Sequence, residues 1–350
     1  MKVRRVKEEK RSDINKEINK EKRELLKKIG LVGGLAFLSS LVPSKAEVLI
    51  NNSGVFKDGM EYSMGGIPYR IVAASNASAE SKAKADYVCD GTNDEVEIRQ
   101  AIADIDSAGG GIVFLTEGTF NLQDNCYTSN LSNPLIVLGS GWNTTRINFS
   151  ASCYFIYSSV TNMSKGIVLR DIKFTNPSTS SKGCIFGGNS GESSGNILIQ
   201  NCRFEKVAYF IQRALSGNNI MENVYIKDMI RIFTFSVANC NYEWKFINSY
   251  ISSTSIFKAG IANSNVSFYN SYISSTSKWS DYDHSFDAIY IYNSVVNIPT
   301  LNMKGGNFYI YNSKIENLGG MQGGNLLLIN SEIKSVSDLD KVNLTIGSIL

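Results

Sequence analysis

The sequence has one histidine, His284, among 350 residues. That excludes metal sites built from several imidazoles and any proton relay that needs two. Proline is scarce at five, so there is no proline-rich spacer, and extended segments run without the donor gaps that proline makes. A phosphate-cradling glycine loop, a nucleophile elbow and a paired-cysteine metal motif are all absent. The apolar run Ile29–Val42 falls short of the ~20 residues that span a bilayer comfortably. Excess positive charge is missing too, although the formal net charge of +3 suggests some. Twelve basic residues lie in residues 1–28, and from Glu47 onward 22 basic face 26 acidic residues, a net of −4. A slightly acidic body argues against nucleic acid as a partner, because that role needs a basic footprint.

What the chain does have is a repeat. Ile199-Gln-Asn201-Cys-Arg-Phe204 returns as Met221-Glu-Asn223-Val-Tyr-Ile226, Phe246-Ile-Asn248-Ser-Tyr-Ile251 and Phe268-Tyr-Asn270-Ser-Tyr-Ile273. It returns again as Ile291-Tyr-Asn293-Ser-Val-Val296, Ile310-Tyr-Asn312-Ser-Lys-Ile315 and Leu328-Ile-Asn330-Ser-Glu-Ile333. Successive asparagines are 22, 25, 22, 23, 19 and 18 residues apart. A period near 20 with no helical pattern between the units marks a β-solenoid in which each unit is one coil. Positions two before and three after each asparagine are always apolar, and four before is apolar except at Asn219. Each unit therefore reads as strand, one-residue corner, strand, with these positions pointing inward. Asparagine tolerates the left-handed backbone of a sharp corner. Stacked at ~4.8 Å, its amides form a ladder along Asn201, Asn223, Asn248, Asn270, Asn293, Asn312 and Asn330. Two further corners are expected, Asp171 in Leu169-Arg-Asp-Ile-Lys-Phe174 and Gly347 near the end.

Residues 1–46 read as an export signal or anchor rather than as part of the fold. A basic region ending in Lys22-Arg23-Glu-Leu-Leu-Lys27 precedes the apolar run, Pro43 and the small-residue site Ser44-Lys45-Ala46. It resembles a twin-arginine signal with lysine in place of the first arginine; a general secretory signal or an uncleaved anchor shares these features. Any membrane contact runs through residues 29–43. Residues 47–84 read as a linker or extended segment, with Ala73–Ala85 rich in alanine and serine. Thr92 and Glu95 have capping-box spacing, and Val96, Ala101, Ile102 and Ile105 give one apolar helical face that ends at Gly109-Gly-Gly111.

Asp86-Tyr-Val-Cys-Asp-Gly-Thr-Asn-Asp-Glu95, the helix, the three glycines, Glu117-Gly-Thr-Phe120 and Gly139-Ser-Gly-Trp-Asn-Thr-Thr-Arg-Ile147 resemble the N-terminal segment of the pectate-lyase-like superfamily. That group includes pectate lyases, polygalacturonases and phage tailspikes, and the likeness is greatest to its surface and phage-associated members. The resemblance covers about residues 85–147. It implies an all-β fold for 85–350, a single-stranded right-handed parallel β-helix with an N-terminal capping α-helix. It also raises glycan cleavage as an activity. The polygalacturonase motifs Asn-Thr-Asp, Asp-Asp, Gly-His-Gly and Arg-x-Lys do not occur from Glu47 onward, and no pectate-lyase motif surrounds Arg203, Arg213 or Arg231. No catalytic residue carries over.

Two local constellations remain. Asp281, Asp283, His284 and Asp287 offer carboxylates and an imidazole for acid–base work, or oxygen ligands for calcium; a plain polar loop is the simpler reading. On the outward side of the strands before the corners stand Tyr269, Tyr290, Tyr292, Tyr309 and Tyr311. Such a patch suits carbohydrate binding or a subunit interface, because tyrosine joins an apolar ring to a polar tip. Tyr225, Tyr250 and Tyr272 repeat the theme two residues after the corners. The six cysteines admit 15 disulfide connectivities, or serve as small buried hydrophobes. The expectation is an exported, non-catalytic protein of a cell surface or virion that binds a polysaccharide or surface glycan, or associates with its own copies. The alternative is a polysaccharide lyase or glycoside hydrolase acting on an acidic polysaccharide. No cofactor is expected unless calcium is bound.

Overall fold

The structure, a computed structural model, describes residues 67–127, 131–158, 162–176, 182–188, 193–211, 215–233, 242–257, 264–280, 288–297, 303–304 and 306–347. Its regular part is a parallel coil stack. Strands that precede the corners, from Tyr69–Ala73 and Gly111–Leu115 through Leu135–Gly139 and Tyr242–Ile247 to Asn343–Gly347, form a 13-stranded sheet, here sheet 1. Strands that follow the corners, such as Thr145–Phe149, Arg203–Glu205, Tyr250–Phe257 and Lys314–Gln322, form sheet 2 within a second set of 15. Several of these are long enough to turn onto a third face. Tyr154–Ser158, Lys182–Gly188 and Val207–Ile211 pair there, and Val207–Ile211 joins the far half of Tyr225–Phe233. Lys206 and Asp228, at φ 57° and 56°, turn the chain between those two faces. Every pairing is parallel, and parallel crossovers take the right-handed path, so the chain winds as a single-stranded right-handed parallel β-helix.

The corners explain why the repeat reads as it does. Asp171 and all seven repeat asparagines have positive φ, between 48° and 60°. Amide donors run coil to coil: Asn223 to Asn201, Asn248 to Asn223 and Asn270 to Asn248 at 3.2–3.4 Å, and Asn330 to Asn312 at 3.3 Å. The run begins on a charge, for the Asn201 amide donates to the Asp171 carboxylate at 3.1 Å. Gly347 is not a corner. It pairs with Ile329, one residue short of the bend, so the equivalent corner position is 348, outside the described residues.

Inside the corner runs a second ladder. Ser249, Ser271 and Ser294 each accept the backbone N–H of the preceding coil at 3.0–3.3 Å and donate to the carbonyl two residues back. Ser313 and Ser331 continue it. These hydroxyls satisfy backbone groups that the sharp bend withdraws from the strand ladder. The core itself is apolar and continuous. Phe174 and Phe204 stack at 5.2 Å and 3°, and Phe210 meets Phe204 edge-on at 5.4 Å. The exception at Asn219 lies fully inside, and its side-chain oxygen accepts the Ile197 N–H at 3.2 Å.

At the N-terminal end three expectations change. Residues 67–84, read as linker or extended segment, contribute a strand of the fold, for Tyr69–Ala73 pairs with Gly111–Leu115 in sheet 1. A short helix α1, Ala79–Ala83, follows it, with Ser78 as its N-cap. The second helix α2, Glu95–Ser107, buries Ile98, Ala101, Ile102 and Ile105 in the core, while Val96, expected on that face, is exposed and Ile98 takes its place. Thr92 and Glu95 form no capping box: Asp94 is the N-cap residue, Thr92 bonds to Asp90, and the Glu95 carboxylate accepts the Gln123 N–H at 3.0 Å. A partner elsewhere in the fold has outcompeted the local one. Gly110 closes the helix by donating to the Ile105 carbonyl at 2.9 Å, with φ 101°. Cys89, Cys126, Cys153, Cys184 and Cys202 form no disulfide and are buried as small hydrophobes, and Cys240 lies outside the described residues. Among the described residues no helix is long and apolar enough to cross a membrane; residues 29–43 lie outside them.

Candidate functional site

Strand register fixes what stands beside what on the outer face of sheet 1. Tyr290 pairs with Tyr309 and Tyr292 with Tyr311, while Tyr269 pairs with Tyr292. The five tyrosines are therefore brought together across three coils. Ring centroids are 4.9 Å apart for Tyr290–Tyr309 and Tyr292–Tyr311 and 5.0 Å for Tyr269–Tyr292, with interplanar angles of 12° or less. Burial raises the pKa of Tyr290 and Tyr311, helped by the neighbouring Tyr309, so both phenols stay neutral beyond the usual range.

Not all five rings face solvent. Tyr269 is only 8% exposed, and the outward residues before it, Leu198, Ile220 and Ile247, are 3% or less. The face opens at the half-buried Tyr290, Tyr292, Tyr309 and Tyr311 and continues through Leu327 and Ile329, which the register places next in the same rows. Its apolar character thus extends beyond the tyrosines in both directions.

The packing also decides how these rings meet a partner. Atoms in contact sit ~3.5–4.0 Å apart, so a sugar ring between two tyrosines would need roughly 7–8 Å. Rings stacked at about 5 Å leave no such gap. Ring faces are occupied by other ring faces, and the partner is offered edges and hydroxyls. Stacking of a pyranose on the flat of a ring is therefore blocked within the rows.

The second stripe has the same construction on sheet 2. Tyr225, Tyr250 and Tyr272 stack at 4.8 and 5.0 Å, and the Arg203 guanidinium lies 4.5 Å from the Tyr225 ring centre and 5.3 Å from that of Trp142. Glu205 pairs with Arg203 and with Lys173, the latter at 2.6 Å. Burial would raise the Glu205 pKa, but the hydrogen bonds from Lys173 and Arg203 prevail and hold the carboxylate below its usual range. One carboxylate thus serves two cations here, and the Arg203 guanidinium lies over the first ring of the stack. The sequence showed its tyrosines but not the arginine that closes the stack, because Trp142 lies 61 residues from Arg203.

Asp281, Asp283, His284 and Asp287 lie outside the described residues. Among the described residues one cluster of metal-ligating side chains occurs, Cys89 with Asp94 and Glu97 near the start of α2. It was not singled out in the sequence, although all three fall within nine residues.

No family model and no curated protein matches this chain. Solved structures with a similar strand path include the catalytic unit of a GH87 α-1,3-glucanase from Streptomyces thermodiastaticus, with 9% identity and a TM-score of 0.42 over 72% of this chain. This chain spans 65% of that unit, a little under two thirds. Geobacillus virus E2 ORF18 gives 14% identity and a TM-score of 0.38, over 73% of this chain and 57% of the other. The A-module of Azotobacter vinelandii mannuronan C-5 epimerase AlgE4 gives 11% and 0.35, over 74% and 96%. Strand pairing and corner geometry define the class here: a single-stranded right-handed parallel β-helix. Activity does not follow from that class, since one scaffold carries many functions.

Proposed function

We propose that this protein is an exported, non-catalytic β-helix of a cell surface or virion that assembles with copies of itself through the outer face of sheet 1. The observation that carries this reading is the ring packing: faces closed at 4.9 Å, edges and hydroxyls outward, and aliphatic Leu327 and Ile329 continuing the rows. An interface between copies is self-complementary under a two-fold axis. A tyrosine-rich apolar face meets that requirement with ring edges against aliphatic side chains and phenol hydroxyls at its rim. Contiguous apolar patches of this kind are uncommon on monomers.

Sedimentation velocity over a concentration series tests it. Self-association is expected, and Tyr292→Ser or Ile329→Asp is expected to weaken it at least tenfold. A protein that stays monomeric at every concentration, or association unmoved by both changes, removes the reading. The regular row of phenol hydroxyls favours one second reading, hydrogen bonding to a surface glycan, which a glycan array detects on the same preparations. Turnover of an acidic polysaccharide that Asp283→Ala abolishes would displace both in favour of a lyase or hydrolase.

A further inference from the structure

We propose that the outer face of sheet 2 is a docking surface for an acidic polypeptide segment of another protein. Register sets its residues in two rows. One runs Arg146, Lys173, Arg203, Tyr225, Tyr250 and Tyr272, and the other carries Glu205 beside Lys227. From Arg146 to Lys227 these rows hold four cations and one carboxylate, a local net of +3, on a body whose balance from Glu47 onward is −4. The acids at the margins do not offset this. Asp171, at the near corner, bonds to Arg170 and to the Asn201 amide. Asp228, at the far corner, stands opposite Lys206, one residue on from the Glu205–Lys227 pair.

Glu205 engages Lys173 and Arg203, which leaves Arg146 and Lys227 exposed and with no ion-pair partner among the described residues. These two stand three coils apart, or ~14 Å at the ~4.8 Å strand spacing, a distance that about four residues of extended chain cover. An extended segment with acids at alternate positions turns them all to one side. Laid along the column, it meets Arg146 at one end, Lys227 at the other and the partly neutralised pair between.

The rings choose a polypeptide among the possible anions. Tyr225, Tyr250 and Tyr272 stack at 4.8 and 5.0 Å, and the Arg203 guanidinium closes the end of the stack 4.5 Å from the Tyr225 ring centre. Nucleobases dock on the flats of such rings, as pyranoses do, and within this stack the flats are taken. Edges and hydroxyls remain, together with Trp142, which is 37% exposed beside Arg203. Tryptophan, tyrosine and arginine are the residues that dominate protein–protein contacts. Arg203 is already held by two rings and a carboxylate, so it loses little freedom when a partner arrives. The surface is separate from the tyrosine rows of sheet 1, and it stands or falls apart from self-association there.

The test is fluorescence anisotropy of dye-labelled poly-L-glutamate titrated with the full-length protein. Binding is expected at low salt and should weaken as salt rises. Arg146→Glu combined with Lys227→Glu should weaken it at least tenfold, while Arg146→Lys combined with Lys227→Arg should keep it. Trp142→Ser leaves every charge in place and should weaken binding at least threefold; Tyr292→Ser on sheet 1 should not change it. Circular dichroism checks that each variant keeps the wild-type fold. Polygalacturonate of matched charge, whose carboxylates sit on sugar rings, and duplex DNA should bind at least tenfold more weakly. No binding to polyglutamate overturns the proposal, as does equal binding by the doubly reversed variant or by Trp142→Ser. A loss in Tyr292→Ser would move the contact to sheet 1 and overturn it too. Polygalacturonate or DNA held as tightly as polyglutamate would show a charged patch with no preference for polypeptide, and the choice of partner would fail.

Discussion

Replacing Asn270 separates two reasons for an asparagine at the corner. Its φ is 50°, its amide donates to Asn248 at 3.2 Å, and the side chain is exposed. Alanine in the left-handed region costs ~1–2 kcal/mol, and the lost solvent-exposed hydrogen bond adds roughly 0.5 kcal/mol. Asn270→Ala should therefore destabilise by about 2 kcal/mol. Asn270→Gly removes the same amide without the steric term, at about 0.5–1 kcal/mol for extra freedom in the unfolded chain. Its expected cost is about 1–1.5 kcal/mol. Urea unfolding followed by far-ultraviolet circular dichroism reads both as shifts in midpoint at constant slope. The order wild type, glycine, alanine is the prediction. Glycine equal to alanine, or worse, would show that the amide ladder and not the backbone sets the residue, and the reasoning from φ would fail.

Phe204→Ala removes a fully buried ring stacked on Phe174 at 5.2 Å, and about 3–5 kcal/mol of stability should go with it; a loss below about 1 kcal/mol would mean that the stack relaxes around the hole. Burial raises Tyr290 and Tyr311, so their contribution is complete below the ordinary tyrosine pKa of ~10 and is lost as pH rises through their folded values. Ultraviolet titration of tyrosinate should show these two ionising late in the wild type, and the late component should shrink in Tyr290→Phe. Glu205 is held low by Lys173 and Arg203. Its stabilising effect is present above the ordinary glutamate pKa of ~4.3 and is lost as pH falls through the folded value. Acid unfolding of Glu205→Gln should show a weaker pH dependence there than the wild type, and identical profiles would count against the pairing.

Much of this fold was legible because one backbone angle recurs. A left-handed corner restricts the residue there, and the strict parity of strands then sorts Phe204 or Ile226 inward and Tyr290 or Tyr309 outward. Where position follows from sequence-distant partners the reading failed. Residues 69–73 read as linker or extended segment, and that they are a strand of this fold appears only against Gly111–Leu115. The Thr92–Glu95 spacing was genuine, yet Gln123 offered Glu95 a bond that a local pattern does not reveal. The serine ladder was in view as Asn-Ser at five corners, but its role depends on the adjoining coil. For the candidate site, strand parity placed the tyrosines on one face. That Tyr269 is shut off from solvent, and that stacking closes the ring faces, depended on packing in three dimensions.

Coil length varies while the register at the corners does not. From Asn223 to Asn248 the chain uses 25 residues, and from Asn312 to Asn330 it uses 18, yet the residues just after each corner stay aligned, Tyr225 with Tyr250 and Lys314 with Glu332. Most of the surplus falls where each lap of the chain ends and the next sheet-1 strand begins: eight residues between Phe233 and Tyr242, two between Gln322 and Asn325. That junction behaves like the margin of a bound page. Sequence can be written into it, the acids at 281–287 included, while the text of the core stays as it was.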